Sequence, residues 1–375
     1  MPGMPSTGRT LRSTINSDGS LQLRMAEEQV ADPTGSQVLV SVEASPINPS
    51  DLGVLLGPAD PATLAPVEGG GLDGNVDERI IPILRDRLDK ALPVGNEGAG
   101  TVVAAGPDAE HLVGRAVTLV GGAMWSDYRL VDAAAVIPLP DDASPADGAA
   151  LFINPMTALS MVETMRAEGH TALVHTAAAS NLGQMLVKIC KADGVGLVNI
   201  VRSAEQTATL TALGAEHVVD SSQPDFNDRL AEAVAATGAT LAFDAVGGGT
   251  LASDILAAME RSADPQDHWT PYGSPTHKQV YIYGSLNMGP TSIQRTFGMR
   301  WSVGGYLLTD AIGRLGGETI GRMRERVVAE LKTTFASSYA RTIGLGDVLD
   351  PANLAEFSKR STGTKYLIDP SLDRD

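Results

Sequence analysis

The sequence predicts an α/β protein in which a β-rich domain carries an inserted, doubly wound parallel-sheet domain. Three observations predict it. Leu21 to about Pro140 breaks into short apolar or alternating runs separated by Gly and Pro, the pattern of strands and turns. From about Asn154 the rhythm changes to strand and helix in alternation, which implies parallel strands joined by crossovers. Within that part, Ala172-Leu-Val-His-Thr-Ala-Ala-Ala-Ser-Asn-Leu-Gly183 reads as a buried strand, a small-residue turn and the start of a helix that continues to Lys191.

The elements follow in order. Gln37–Glu43, Gly100–Ala105 and Ala116–Val120 read as strands of the first domain. Leu56–Pro93 reads as an inserted segment, rich in Gly, Pro and Asp, with Gly69-Gly-Gly71 and a charged helix over Asp77–Leu92. In the second domain, Ala172–Lys191 and Gly196–Leu213 each give a strand and a helix, and strands follow at Ala215–Asp220, Leu241–Val246 and Gln279–Gly284. Ser262–Lys278, polar and containing His268 and Trp269, is a second insertion. Such long segments serve as lids, as surface elaborations or as subunit contacts. Ile312–Ala336 reads as one long charged helix, and Tyr366-Leu-Ile-Asp369 as a last strand returning to the first domain. No internal repeat is visible.

At 375 residues and 43% hydrophobic content the chain is expected to form two domains. A net charge of −17 argues against nucleic acid or an anionic membrane as partner, because both require a basic face. An anionic cofactor would need a local positive site. A single cysteine, Cys190, excludes a disulfide framework within the chain and any multi-cysteine zinc site. It reads as an inert packed thiol. Without a hydrophobic signal core at Met1–Arg9 or an apolar run long enough to span a bilayer, the expectation is a soluble cytoplasmic protein.

The turn carries the chemistry. Small residues at Ala178 and Ser180, followed by Asn181, Leu182 and Gly183, let the backbone approach a pyrophosphate at the positive N-terminus of the helix. Where G-x-G-x-x-G is usual, this chain has Ala178-x-Ser180-x-x-Gly183. The next strand ends in Arg202-Ser203, at the spacing where an acidic residue would bind the ribose 2′-hydroxyl of NAD. A guanidinium pairs with a 2′-phosphate through charge-assisted hydrogen bonds, so the cofactor is read as NADP(H). The competing reading leaves Arg202 solvated and gives the ribose to Glu205.

Separate segments, in order along nearly the whole chain, resemble the medium-chain dehydrogenase/reductase superfamily. They are Ile47-Asn-Pro-Ser-Asp51, Gly95-Asn-Glu-Gly-Ala-Gly-Thr-Val102, Gly114-Arg-Ala-Val-Thr118, Trp125-Ser-Asp-Tyr128, Asn154-Pro-Met-Thr-Ala158, Leu213-Gly-Ala-Glu-His-Val218 with Asp220, Asp244-Ala-Val-Gly247, Tyr283-Gly284 and Arg360-Ser-Thr-Gly363. The resemblance implies a GroES-like catalytic domain over residues 1–153 and 310–375, with a Rossmann NADP-binding domain inserted over 154–309. Cofactor and substrate would meet between them. Zinc-dependent members look for Cys where Asn48-Pro-Ser50 stands, His where Asn96 stands, and Cys or Asp near Asn154. None of these ligands is present, and amides are poor substitutes. Glu97 remains, but one carboxylate does not make a zinc site. The chain is therefore similar to the zinc-independent quinone oxidoreductases and 2-enoyl thioester reductases, whose acceptors are conjugated and develop charge on a carbonyl oxygen. Enoyl reductases carry a tyrosine shortly after the segment matching Asn48–Asp51, whereas Leu52–Val94 contains no aromatic residue.

The candidate catalytic residues are Asn48, Asp51 and Asn96, with turn formation the alternative for the first two. The candidate cofactor residues are Asn154 and Thr157, which could equally cap a helix, then Ala178, Ser180, Asn181, Leu182, Gly183, Arg202 and Ser203. Gly247, Tyr283, Gly284 and Ser285 follow strand ends on the ligand-facing side of a doubly wound sheet. Tyr283 could stack on a base, line the cleft or be buried in the sheet. Lys365 is added by resemblance, although the family's lysine directly follows the glycine and here Thr364 intervenes. His170, His175 and His217 lack metal-ligand spacing and read as packed or strand-end residues. Met288, Trp301 and Tyr306 read as core or dimer packing, with a substrate wall as the alternative. The sequence is read as a zinc-independent NADPH-dependent oxidoreductase acting on an enone, enal, enoyl thioester or quinone, with a small-molecule substrate and a homodimeric state. A zinc-independent alcohol or aldehyde oxidoreductase and a catalytically idle NADPH-binding protein are the competing readings.

Overall fold

The structure is a computed structural model, and it describes residues 5–263, 270–359 and 365–374. The motif Arg360–Gly363 and the pair His268 and Trp269 lie outside the described residues. Packing divides the chain into two units, Met1–Ile153 with Leu331–Asp375, and Asn154–Glu330. The sequence reading closed the inserted domain at residue 309. The difference is a pair of helices that pack with the second unit.

The first unit is GroES-like and built on antiparallel sheets. β1 (Thr7–Ile15) and β2 (Ser20–Gln29) form a full-length hairpin. β3 (Gln37–Pro46) is buried along most of its length, as befits a central strand of apolar and β-branched residues. It pairs with β4 (Glu97–Ala105) on one side; β5 (Ala116–Val120) and β7 (Val136–Pro138) extend that sheet, and β6 (Tyr128–Asp132) also pairs with β3. The short strand Tyr366–Ile368 joins β3 antiparallel, so the end of the chain completes this sheet. Leu11, Ile15, Leu52, Trp125, Phe357 and Ile368 share one core. Between β3 and β4 lies α1 (Pro49–Leu55), with proline at its start, where the missing N–H costs nothing.

The inserted segment contains no helix over Asp77–Leu92. Pro82 lies inside the expected helix, and only a single 3-10 turn, Ile81–Ile83, forms around it.

The second unit is a Rossmann domain. Its parallel strands are β8 (Ala172–His175), β9 (Gly196–Val201), β10 (His217–Asp220), β11 (Leu241–Asp244), β12 (Lys278–Ile282) and β13 (Trp301–Gly305). Their order across the sheet is β10-β9-β8-β11-β12-β13, which places the reversal of direction between β8 and β11. Entering the unit is α2 (Ile153–Ala167). The sheet is flanked by α3 (Asn181–Asp193), α4 (Ala204–Ala212), α5 (Phe226–Thr237) and α6 (Leu251–Ser262). Val174, Val198, Ile200, Ala242 and Val280 build the core against α5 and α6. The expected long helix Ile312–Ala336 is two helices, α7 (Leu308–Leu315) and α8 (Gly317–Ala329). Gly316, at φ +80, breaks the helix between them.

Candidate active site

In the first unit, polar groups converge around the N-terminus of α1. Asn48 is the N-cap of α1 and is 2% exposed. Its backbone N–H donates to Asp51 Oδ2 at 2.7 Å, while Asn96 N–H donates to Asp51 Oδ1 at 2.8 Å. Both oxygens of this wholly buried carboxylate therefore hold backbone, one on each of two loops. The Asn48 amide donates to Glu97 Oε1 at 2.9 Å, and Glu97 Oε2 accepts from Phe152 and Ile153 N–H at 2.9 and 2.8 Å. Asn96 is half-buried, and its amide donates to Ser50 Oγ at 3.1 Å.

Lys365 belongs to this cluster. Its ammonium nitrogen is buried, lies 5.6 Å from the centre of the Tyr339 ring, and has no hydrogen-bond partner among the described residues. Burial lowers its pKa, opposed by the charges of Glu97 and Asp51. Burial raises that of Glu97, and burial with the neighbouring Glu97 charge raises Asp51 to about 7. By resemblance Lys365 is a cofactor residue whose phosphate role the intervening Thr364 puts in doubt; in the structure it is buried near the charges of Glu97 and Asp51, because the strand it precedes, Tyr366–Ile368, pairs with β3.

In the second unit the turn after β8 has the predicted form. Ala177 adopts φ +49, and Ala178 and Ala179 are buried. Ser180 is the N-cap of α3, accepting from Gly183 N–H at 3.2 Å, and Asn181 and Leu182 open the helix. A Cβ on Gly183 would stand 2.1 Å from the Ala178 carbonyl oxygen, so only glycine lets α3 close on this turn. One strand across, Arg202 is exposed and its backbone N–H is anchored on Gln206 Oε1 at 3.0 Å. Ser203 caps α4 by accepting from Gln206 N–H. Asn154 and Thr157 lie in the first turns of α2, and Thr157 is buried.

The ends of the central strands meet beside that turn. Thr176 donates to Asp244 Oδ1 at 2.7 Å, and Asp244 Oδ2 accepts from Gly247 N–H at 3.0 Å. Gly247 has φ +80, and a Cβ there would press on the Gly284 carbonyl; one on Gly284 would meet Ala245 O at 2.5 Å. These glycines keep the loops after β11 and β12 in contact. Tyr283, Gly284 and Ser285 line a cavity of about 430 Å³ with Tyr306, Leu307 and Asp310.

Sequence reasoning missed the organising part of Glu97 and the pairing of His175 with Tyr283. Their partners lie 49 to 108 positions away, so no local spacing marks them. Cys190, read as inert, is buried with its thiol pushed up to about 12 by burial.

Comparison with known proteins gives the class first. Residues 182–298 match the family model described as zinc-binding dehydrogenase. The mitochondrial enoyl-[acyl-carrier-protein] reductase of Xenopus tropicalis is 28% identical over 219 residues, covering 55% of this chain and 55% of that protein. Its Caenorhabditis elegans counterpart is 30% identical over 206 residues, covering 53% of this chain and 52% of that protein. The chain thus spans about half the length of these curated relatives. A crystal structure of a protein assigned as an NADPH:quinone reductase from Mesorhizobium loti is 28% identical, covers 98% of this chain and 100% of its own, and superposes with a TM-score of 0.72. These likenesses support a protein of the medium-chain dehydrogenase/reductase type, similar to quinone and enoyl reductases.

The zinc in the matched family's description does not fit the residues here. The first unit offers the amides of Asn48 and Asn96, already donating to Glu97 and Ser50, where a tetrahedral site needs thiolate, imidazole or carboxylate. Among the described residues no group of three His, Cys, Asp or Glu could hold a metal ion. No helix among them is long and apolar enough to cross a membrane.

Proposed function

We propose that the protein is a zinc-independent, NADPH-dependent oxidoreductase that delivers hydride to an activated double bond of an enone, enal or enoyl thioester, or to a quinone. The observation that carries this reading is the turn Ala178–Gly183, packed too tightly for any side chain at Gly183, with exposed Arg202 one strand across. Likeness to the protein assigned as an NADPH:quinone reductase, over nearly the whole chain, supports it, as do the enoyl reductases among the shorter matches.

On this reading the N-terminus of α3, with Ser180, Asn181 and Leu182, cradles the pyrophosphate, and Arg202 with Ser203 takes the 2′-phosphate. Gly247, Tyr283, Gly284 and Ser285 serve the nicotinamide half of the cofactor, as do Asn154 and Thr157. Reduced nicotinamide, when bound, supplies the hydride. Charge then developing on the acceptor's carbonyl oxygen calls for a hydrogen-bond donor, and we assign that task to the half-buried amide of Asn96, whose backbone N–H is held by Asp51. We assign β13, the last strand of its sheet, with the exposed side chains of Met299 and Leu307 on either side of it in sequence, to a homodimer contact. The single buried cysteine suits a reducing, cytoplasmic setting.

The test is NADPH oxidation with a panel of quinones, enones, enals, enoyl thioesters and simple alcohols or ketones, with and without a zinc chelator. Turnover of a conjugated acceptor or quinone, insensitive to the chelator, is expected. Turnover of simple alcohols alone, loss of activity on chelation, or tight NADPH binding with no acceptor reduced would each refute the reading.

A further inference from the structure

Gln206 ties the strand end that bears Arg202 to the helix that follows it. Ser203 is the N-cap of α4, so Gln206 stands at the third helical position, and Ser-x-x-Gln is the spacing of a capping box. In such a box the side chain at the third position accepts from the N–H of the cap residue. Here it reaches one residue further. Gln206 Oε1 accepts from Arg202 N–H at 3.0 Å, while Gln206 N–H donates to Ser203 Oγ at 3.3 Å. Arg202 is exposed, and its guanidinium makes no ion pair or hydrogen bond among the described residues.

A glutamate at this position would make the same hydrogen bond, and its charge would suit the positive N-terminus of α4. It would also put a negative charge at the root of the Arg202 side chain, within hydrogen-bond distance of its backbone nitrogen. That charge would attract the guanidinium and repel any anion drawn to it. Glutamine holds the same backbone group and leaves the arginine its full charge. The carboxylates nearest in chain and sheet do not take that place. Asp220, paired with Val201 across the sheet, accepts from Ser222 N–H at 2.9 Å and from Ser222 Oγ at 2.8 Å. Glu205 is exposed and stands about 100° round α4 from Gln206.

We infer that Gln206 is a specificity-determining residue for the nucleotide: its neutral amide fixes the Arg202 backbone without cancelling the arginine's charge, so that a ribose 2′-phosphate is selected over a 2′-hydroxyl. The inference rests on the proposed cofactor and extends it to a residue that acts through Arg202.

The test is fluorescence titration of wild type, Gln206→Glu and Gln206→Ala with NADPH and with NADH, at low and high salt, with thermal unfolding of each protein alongside. Gln206→Glu should keep the cap and unfold no lower than wild type, yet lose about 3- to 10-fold of the preference for NADPH over NADH, through weaker NADPH binding. Because the cause is a charge, the loss should shrink as salt is raised. Gln206→Ala gives up the hydrogen bond and adds no charge; it should unfold earlier and keep more of the preference than Gln206→Glu. A Gln206→Glu protein with the wild-type preference would overturn the inference, as would a loss that salt leaves untouched or one that Gln206→Ala matches. Wild-type protein that binds NADH as tightly as NADPH would overturn the cofactor reading and the inference with it, and the wild-type titration alone tells that case apart.

Discussion

At the scale of single residues, Arg202 and Asp51 carry the sharpest consequences. Arg202 is exposed at the end of β9, and the proposed function pairs its guanidinium with a 2′-phosphate. Arg202→Ala should weaken NADPH binding about 10- to 100-fold, the worth of a charge-assisted hydrogen bond, and leave NADH binding nearly unchanged. Equal losses for both nucleotides would return the ribose to Glu205. Asp51 is held near 7 by burial and by Glu97, well above the ordinary carboxylate range. The folded chain therefore keeps a proton that the unfolded chain releases. The stability this contributes is present below the unfolded value and is lost as pH rises through about 7. Thermal unfolding of wild type and Asp51→Asn across that window should show the wild-type advantage shrinking as pH rises. An advantage that grows with pH would mean that Asp51 is ionised throughout, stabilised by Lys365. The two partners of that cluster illustrate what a sequence conceals. Lys365 and Glu97 stand 268 positions apart, and only the pairing of Tyr366–Ile368 with β3 brings them near.

At the scale of elements, what was legible was local. The strand, turn and helix from Ala172 to Lys191 could be read because the constraint lies within a dozen residues: a small turn, a cap at Ser180 and a glycine where the helix meets the strand. Ala116–Val120 was legible for a similar reason, as an apolar run between turn signals. The two helices misread from charge and composition fail at identifiable residues, Pro82 and Gly316, where backbone chemistry overrides pattern. Gly183→Ala tests the turn as an element. Its Cβ would meet Ala178 O at 2.1 Å, so α3 must move from the strand end. A loss of about 1–3 kcal/mol in denaturant unfolding is expected, together with weakened NADPH and NADH binding alike. Unchanged stability and binding would mean that the turn has room the geometry denies.

At the scale of the whole molecule, the sequence disclosed the alternation that makes the second unit a parallel sheet and the return of the chain end to the first. It misplaced the close of the second unit, because α7 and α8 are amphipathic and their partner surface has no signature of its own. The division of labour that follows is chemical. The second unit holds the small-residue turn and Arg202, and the first holds a buried carboxylate cluster bonded to amides where zinc enzymes of the superfamily place ligands. The central claim is that hydride passes directly from NADPH to a conjugated acceptor or quinone. Its most direct test is transfer from NADPH deuterated at the transferable position, with the product analysed by mass spectrometry and NMR. The account predicts one deuterium in the reduced product, at the β-carbon for an enone or enoyl thioester, with no dependence on added zinc. A product carrying only solvent hydrogen at that carbon, or labelled only when zinc is supplied, would contradict it.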